Sequence, residues 1–372
     1  MTHDKIPSFS LLDQIAALKP ELDEAWNRVL TSGQFILGTE VTTFENEVEA
    51  LIGVPAVGVA NGSDALYLAL QALQIGPGDE VVTTAFSFFA TAGSISRLGA
   101  TPVFADVDPD TFNVDPDQAL ARVTPRTRAI LPVHLFGLMA DTLRLVQGFS
   151  GPIVEDAAQA ILAAQNGRWA GTVGDIGCFS FFPTKNLGAF GDGGLVTSRR
   201  PELAEVVRTL RVHGATAKYY HERLGVNARL DALQAAILRV KLRHLQEWTA
   251  RRLALADRYR HGIRDRGLDG FVRPQAIPPG YQAVYHQFTV RAERRDALQR
   301  FLGERGIGST VYYPHPLHLL PVFQSLGHRA GDFPVAETLC REVLSLPLYP
   351  ELRDDQVDRV VEALSDFYHD AA

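Results

Sequence analysis

Cysteine and methionine are nearly absent, with two of each in 372 residues. Cys178 and Cys340 are too few for a disulfide framework or a thiolate metal cluster, and both sit in apolar stretches that read as core. No run approaches the ~18 consecutive apolar residues of a membrane span. Residues 1–5 begin no apolar stretch of the kind an export signal needs, so a cytoplasmic location is expected. Basic charge is not in excess either: 36 Lys and Arg face 43 Asp and Glu, a formal net charge of −7. The densest basic clusters are pairs such as Arg199 with Arg200, which argues against a phosphate-backbone binder. Neither nucleic acid nor membrane is expected as a partner.

What is present is ordinary globular material. Hydrophobic residues make up 46% and charged residues 21%, enough to bury a large core and to set aside disordered and fibrous classes. The length fits two or three structural units at about 100–200 residues each. Residues 10–53 read as two amphipathic helices punctuated by Gly33 and Gly38. Beyond Gly53, short apolar or β-branched runs at 56–60, 80–84, 101–105, 129–134 and 152–155 alternate with helical patterns such as 64–73 and 89–98. That alternation predicts an α/β fold, a mostly parallel central sheet with helices on both faces. Residues 180–194 read as an irregular glycine-rich loop. A long helix is expected from Asp231 past Arg260, leading to a smaller α+β unit. That unit would hold strands at 284–290 and 308–312, a helix at 294–305 and a last helix after Asp354. The division expected is 1–240 for a large domain and 241–372 for the linking helix and a small domain.

In such a sheet, chemistry collects at the carboxyl ends of the strands. Four features stand there. Asp156 ends a buried strand, where a carboxylate calls for a cationic partner such as a protonated pyridine nitrogen; capping the next helix is the plainer reading. Lys185 is the single basic residue of an aromatic, glycine-bearing loop, surroundings that lower an amine's pKa and make it a nucleophile; alone it would read as a solvated charge. Asn61, Gly62 and Ser63 lead into a helix whose first amides suit a phosphate or a capping box. The aromatic run at 86–91 supplies a ring to lie over a planar heterocycle or simply to fill core. A phosphate cradle, an aromatic face, a buried Asp and an isolated Lys are jointly the needs of pyridoxal 5′-phosphate. The glycines at 191–194 lack dinucleotide spacing and open no helix, which disfavours a nicotinamide enzyme.

These residues, with the segments at 33–38, 132–137, 155–160, 180–194, 225–229, 312–318 and 345–350, resemble the DegT/DnrJ/EryC1/StrS family of nucleotide-sugar aminotransferases over nearly the whole chain. The resemblance implies the aspartate-aminotransferase fold, fold type I among pyridoxal-phosphate enzymes. It makes Lys185 the Schiff-base lysine and Asp156 the partner of the pyridine nitrogen. Gln159 would touch the ring hydroxyl, Phe88 would stack on the ring, and Gly62, Ser63 and Ser180 would bind the phosphate. It further implies a homodimer with shared sites, in which Asn227 reaches the neighbour's phosphate and Arg229 the sugar-nucleotide.

By the same resemblance L-glutamate is the amino donor, and a keto-sugar on dTDP or UDP is the acceptor. Lysine at 185 sets the chain apart from relatives that dehydrate deoxysugars and carry His there. The loop around Lys185 is closer to members acting at sugar C3 than at C4. Several C3 relatives carry Tyr where Phe182 stands and His where Tyr312 stands. Tyr312, Tyr313, His315 and His318 are candidate sugar or phosphate contacts, and His213 and His286 also fit the family pattern. Pro316 disfavours a helix through His315 and His318, and no metal is expected. Alternatives are a C4-acting enzyme, a non-sugar enzyme such as an amino-benzoate synthase, and a catalytically silent binding or regulatory protein on the same fold.

Overall fold

The computed structural model describes residues 5–370. The first four residues, where no export signal is expected, lie outside that range. Helices Leu12–Ser32 and Thr39–Ile52 come first, and Gly33 ends the former at φ 65°, a left-handed turn that a missing Cβ permits.

Seven strands then form one sheet, in the order Ala56–Val59, Gly194–Ser198, Ile176–Ser180, Val154–Asp156, Thr127–Leu131, Glu80–Thr84 and Thr101–Ala105. The parallel bridges Ile130 to Ile153 and Val133 to Asp156 join its two halves. Only Gly194–Ser198 runs against the rest. The expected mostly parallel sheet is therefore observed, and adjacent side chains show that it is covered on both faces. Cys178 and Val196 point into a core with the helices Gly62–Ala72 and Pro201–Leu210. Their neighbours Phe179 and Leu195 point into another core with the two N-terminal helices and Ala232–Leu242. Both cysteines are buried and free.

A separate core lies around the antiparallel strands Val272–Pro274, Phe288–Ala292 and Val343–Leu346, packed on Leu245–Asp265 and Asp354–Ser365. Tyr259 stacks on Phe288 there, with ring centroids 4.7 Å apart. Among the described residues no helix is long and apolar enough to cross a membrane.

Several local expectations differ from what is seen. The long helix is two helices, Ala232–Leu242 and Leu245–Asp265, broken where Arg243 and His244 both turn to Glu21. The loop 180–194 is the connection between two antiparallel strands, with Ser180 paired to Gly194. The strand expected at 284–290 is Phe288–Ala292. Val284 and His286 spend their N–H groups on Gly137 and Phe136 instead, around Tyr285 at φ 42°. Residues 308–312 make a single bridge, Thr310 to Ser345, rather than a strand.

Candidate active site

A cavity of about 440 Å³ opens at the carboxyl ends of these strands, and its wall includes Gly62, Ser63, Phe88, Asp156, Gln159, Ser180 and Lys185. The sheet explains the meeting. Asp156 closes a strand paired in parallel with Ile176–Ser180, and Ser180 closes that one in turn. Helix Gly62–Ala72 starts directly after the first strand, with Asn61 Oδ1 accepting from the Asp64 N–H at 2.8 Å. A Cβ at Gly62 would stand 2.6 Å from the Ser180 Cβ, so only glycine lets the helix start this close to Ser180. The Gly62 and Ser63 amides and the two serines form a cradle of the shape a phosphate needs.

Asp156 is buried, and its two oxygens accept from Thr91 Oγ1 at 2.8 Å and from the Ala158 N–H at 3.2 Å. Burial raises its pKa, against the pull of those two hydrogen bonds and of the Lys185 charge. A carboxylate held this way suits a cationic ring nitrogen, which would supply the missing compensation. The neighbouring Glu155 anchors the same strand end. It accepts from the amides of Gly171, Val173 and Gly174 and lies 2.7 Å from His134 Nε2. Because the Ala140 N–H donates to His134 Nδ1, the imidazole hydrogen stands on Nε2, facing Glu155.

Lys185 sits partly open to the cavity, and its Nζ has no hydrogen-bond partner among the described residues. Burial pushes its pKa down to about 8, with the Asp156 charge acting the other way. The loop that carries it is tied from below, where buried Lys241 donates to the Gly188 carbonyl at 2.6 Å. Asn186 donates to the Val284 carbonyl at 2.9 Å, and its Oδ1 faces His286 Nδ1 at 3.3 Å. Burial, then the charges of Lys185 and Arg252, hold His286 well below the ordinary histidine range, so it is neutral.

Gln159 accepts from the Phe136 N–H at 2.7 Å and donates to Tyr313 Oη at 3.1 Å. Phe88 is 57% exposed, with its ring centroid 6.0 Å from that of Tyr313. An aromatic face left open in the cavity that Asp156 and Gln159 also line fits a planar ring. The donor set as a whole therefore fits pyridoxal phosphate.

Not every expected contact gathers here. Tyr312 and Tyr313 line the cavity, but Asn227, Arg229 and His315 do not. Asn227 and His315 are exposed, and Arg229 is half-buried on a segment bridged to Val59. His213 is exposed at φ 64°, away from the cavity. His318 is a correction: it is buried in a satellite core against Phe333, 3.2 Å from Glu337, where it serves packing. Thr91, Thr184, Asp192 and Gln287 also line or support the cavity, without a sequence motif that marks their role. Of these, Thr91 carries the nearest signal, three residues after Phe88 in the aromatic run.

Comparison with known proteins agrees with this geometry. The family model of the DegT/DnrJ/EryC1/StrS aminotransferases matches residues 16–365. A protein of Geobacillus stearothermophilus named a pleiotropic regulatory protein is 50% identical, over 98% of each chain. A UDP-N-acetyl-3-dehydro-alpha-D-glucosamine 3-aminotransferase of Acidithiobacillus ferrooxidans is 45% identical, again over 98% of each. The crystal structure of S. venezuelae DesV in complex with a ketimine intermediate superposes with a TM-score of 0.96 at 43% identity, over 99% of each chain. On its cavity, its fold and its sequence, the chain belongs to the DegT/DnrJ/EryC1/StrS aminotransferase family.

Proposed function

We propose that this aminotransferase moves an amino group from L-glutamate to a nucleotide-linked 3-keto sugar, with pyridoxal 5′-phosphate as resident cofactor. The observation that carries the reading is the pairing, in one cavity, of an unbonded Lys185 amine with a pKa near 8 and a buried, hydrogen-bonded Asp156. When bound, the cofactor supplies an aldehyde carbon for the amine and a ring that draws electrons from the carbon losing its proton. Lys185 would hold the cofactor through Nζ and would move a proton at the same atom. Asp156 holds the proton on the ring nitrogen, and Thr91 keeps its carboxylate aimed. Gly62, Ser63 and Ser180 bind the phosphate, Phe88 covers the ring and Gln159 meets its hydroxyl.

The cavity's own wall offers no cation besides Lys185, whereas the donor's carboxylates and a nucleotide's phosphates both call for one. Arg229 and Asn227, outside their own cavity, supply that charge and a phosphate contact in a homodimer with shared sites. The 3-aminotransferase name of the Acidithiobacillus relative favours C3 over C4. The regulatory name of the Geobacillus relative favours a silent protein, and the intact Lys185 and Asp156 pair weighs against it.

The test is spectroscopic. Purified protein with the cofactor develops a visible band, L-glutamate bleaches it, and a 3-keto nucleotide sugar restores it. A band indifferent to glutamate overturns the donor, and no band with excess cofactor overturns the whole reading.

A further inference from the structure

The helix Ala90–Arg97 reaches both ends of the cofactor site. At its start Thr91 holds Asp156, the carboxylate suited to the ring nitrogen. Further along, the same helix meets the first turn of Gly62–Ala72, where the phosphate cradle lies. Ser94 Oγ is 3.4 Å from the Ser63 carbonyl, and Arg97 Nη1 donates to Asp64 Oδ1 at 3.1 Å. Spacings of three put residues 91, 94 and 97 on one side of the helix, so one short element grips both parts.

Asp64 is the unexpected member of the cradle turn. A carboxylate in a first helical turn suits the helix dipole, yet this one follows directly on Gly62 and Ser63 and repels a second anion held by their amides. Its surroundings restrain it. The Asp64 N–H goes to Asn61 Oδ1, and Asn61 Nδ2 donates back to Asp64 Oδ2 at 3.0 Å. The other carboxylate oxygen takes Arg97, whose guanidinium is steadied over the Tyr67 ring at 4.2 Å. The Arg97 side chain is 53% exposed, and an ion pair so open to water adds little to folding. Its consequence is local: it offsets the negative charge beside the cradle. The cavity wall holds no arginine among the described residues, so this compensation acts from behind the turn.

We infer that Arg97 is a positioning residue for the cofactor phosphate and acts through Asp64. It neutralises that carboxylate and holds it in place, so that the Gly62 and Ser63 amides can receive a dianion. The inference rests on pyridoxal phosphate as the resident cofactor and adds a residue from outside the cavity wall. The effect of Arg97 then requires both a phosphate on the ligand and a carboxylate at position 64.

Binding of two ligands to apoprotein tests this. Pyridoxamine phosphate and pyridoxamine differ only in the phosphate, and neither bonds covalently to Lys185. Calorimetry at low ionic strength gives their dissociation constants. Arg97→Gln should bind pyridoxamine phosphate about 5–20-fold more weakly than wild type, the effect of an uncompensated like charge under partial screening. Its affinity for pyridoxamine should change by less than about 2-fold. Adding Asp64→Asn to Arg97→Gln should restore pyridoxamine phosphate binding to within about 3-fold of wild type, since the two residues are coupled. Asp64→Asn alone should bind it at least as tightly as wild type, and carries the test if Arg97→Gln fails to fold. Unchanged phosphate binding in Arg97→Gln overturns the inference, and so does weaker binding in Asp64→Asn alone. A loss shared by both ligands, or one that Asp64→Asn does not relieve, also overturns it, because either marks damage to the fold. All of these leave the cofactor reading standing. Wild type that does not bind pyridoxamine phosphate overturns the reading and the inference together.

Discussion

Thr91 Oγ1 donates to Asp156 Oδ2 at 2.8 Å, and Ser87 Oγ stands 3.0 Å behind it on Thr91 Oγ1. The aromatic run that brings Phe88 to the cavity thus also carries the hydroxyl that steadies the carboxylate. Removing that hydroxyl withdraws support from the charged form of Asp156, whose pKa burial already raises. Thr91→Val should lower kcat by about 10–100-fold, the worth of one hydrogen bond to a charged group. Thr91→Ser should stay within a few-fold of wild type. Equal rates for the two variants in a steady-state assay would show that the hydroxyl does not matter.

Lys185 sets a pH dependence with a definite sign. Its amine attacks when neutral, and burial brings its pKa from 10.5 to about 8. At pH 7.5 about a quarter of Lys185 is neutral, against about one part in a thousand for an ordinary lysine. Capture of the cofactor by apoprotein, followed as growth of the visible band, should therefore speed up with pH and level off above about 8. The Asp156 charge raises this pKa, so Asp156→Asn should move the midpoint lower. A midpoint unchanged in that variant would mean the two side chains are not electrostatically coupled. Lys185→Ala should form no such band and lose at least the ~10²–10⁴-fold that a positioned proton carrier contributes.

How far the sequence reaches is visible in these two residues. Asp156 and Lys185 each stand at the end of a short, strongly patterned stretch, and the strand ends of a parallel sheet are where function gathers. Their roles are therefore legible from local sequence. The place of Gln287 in the cavity wall is not, because it comes from a segment more than a hundred residues beyond Lys185 and meets it only through tertiary packing. His318 misleads for the same reason. Nothing near it in sequence foretells that Phe333 and Glu337, from a later segment, will bury it. The break at Arg243 and His244 likewise depends on Glu21, over two hundred residues upstream. Patterns of burial survive such long-range effects better than exact element ends do.

Lys241 offers a stability prediction. Its side chain is buried, donates to the Gly188 carbonyl and lies over the Phe190 ring at 5.1 Å. Lys241→Ala leaves that carbonyl unpaired and opens a void, at a cost of about 2–4 kcal/mol. Its effect should also vary with pH. Burial lowers the Lys241 pKa to about 8 in the fold, below its value of 10.5 when unfolded. The folded form thus binds fewer protons between those two values, so stability from this residue rises as pH climbs from about 8 towards 10.5. The gap in melting temperature between wild type and Lys241→Ala should widen over that interval. A constant gap would mean that Lys241 keeps its proton equally in both states.

Arg229 provides the sharpest check on a shared site. It does not line the cavity of its own chain, although its segment is fixed beside Val59, on the strand that leads into the phosphate cradle. If Arg229 serves the neighbouring subunit, Lys185→Ala and Arg229→Ala each inactivate their own homodimer. Mixed dimers behave differently, because both lesions fall in one cavity and the other cavity is intact. An equal mixture refolded or co-expressed should regain about a quarter of wild-type activity, since half the dimers are mixed and each carries one good site of two. Recovery requires both the dimer and the crossing of Arg229 between subunits. A mixture as inactive as its parents would return Arg229 to its own chain, and the missing cation of the cavity would then have to come from elsewhere.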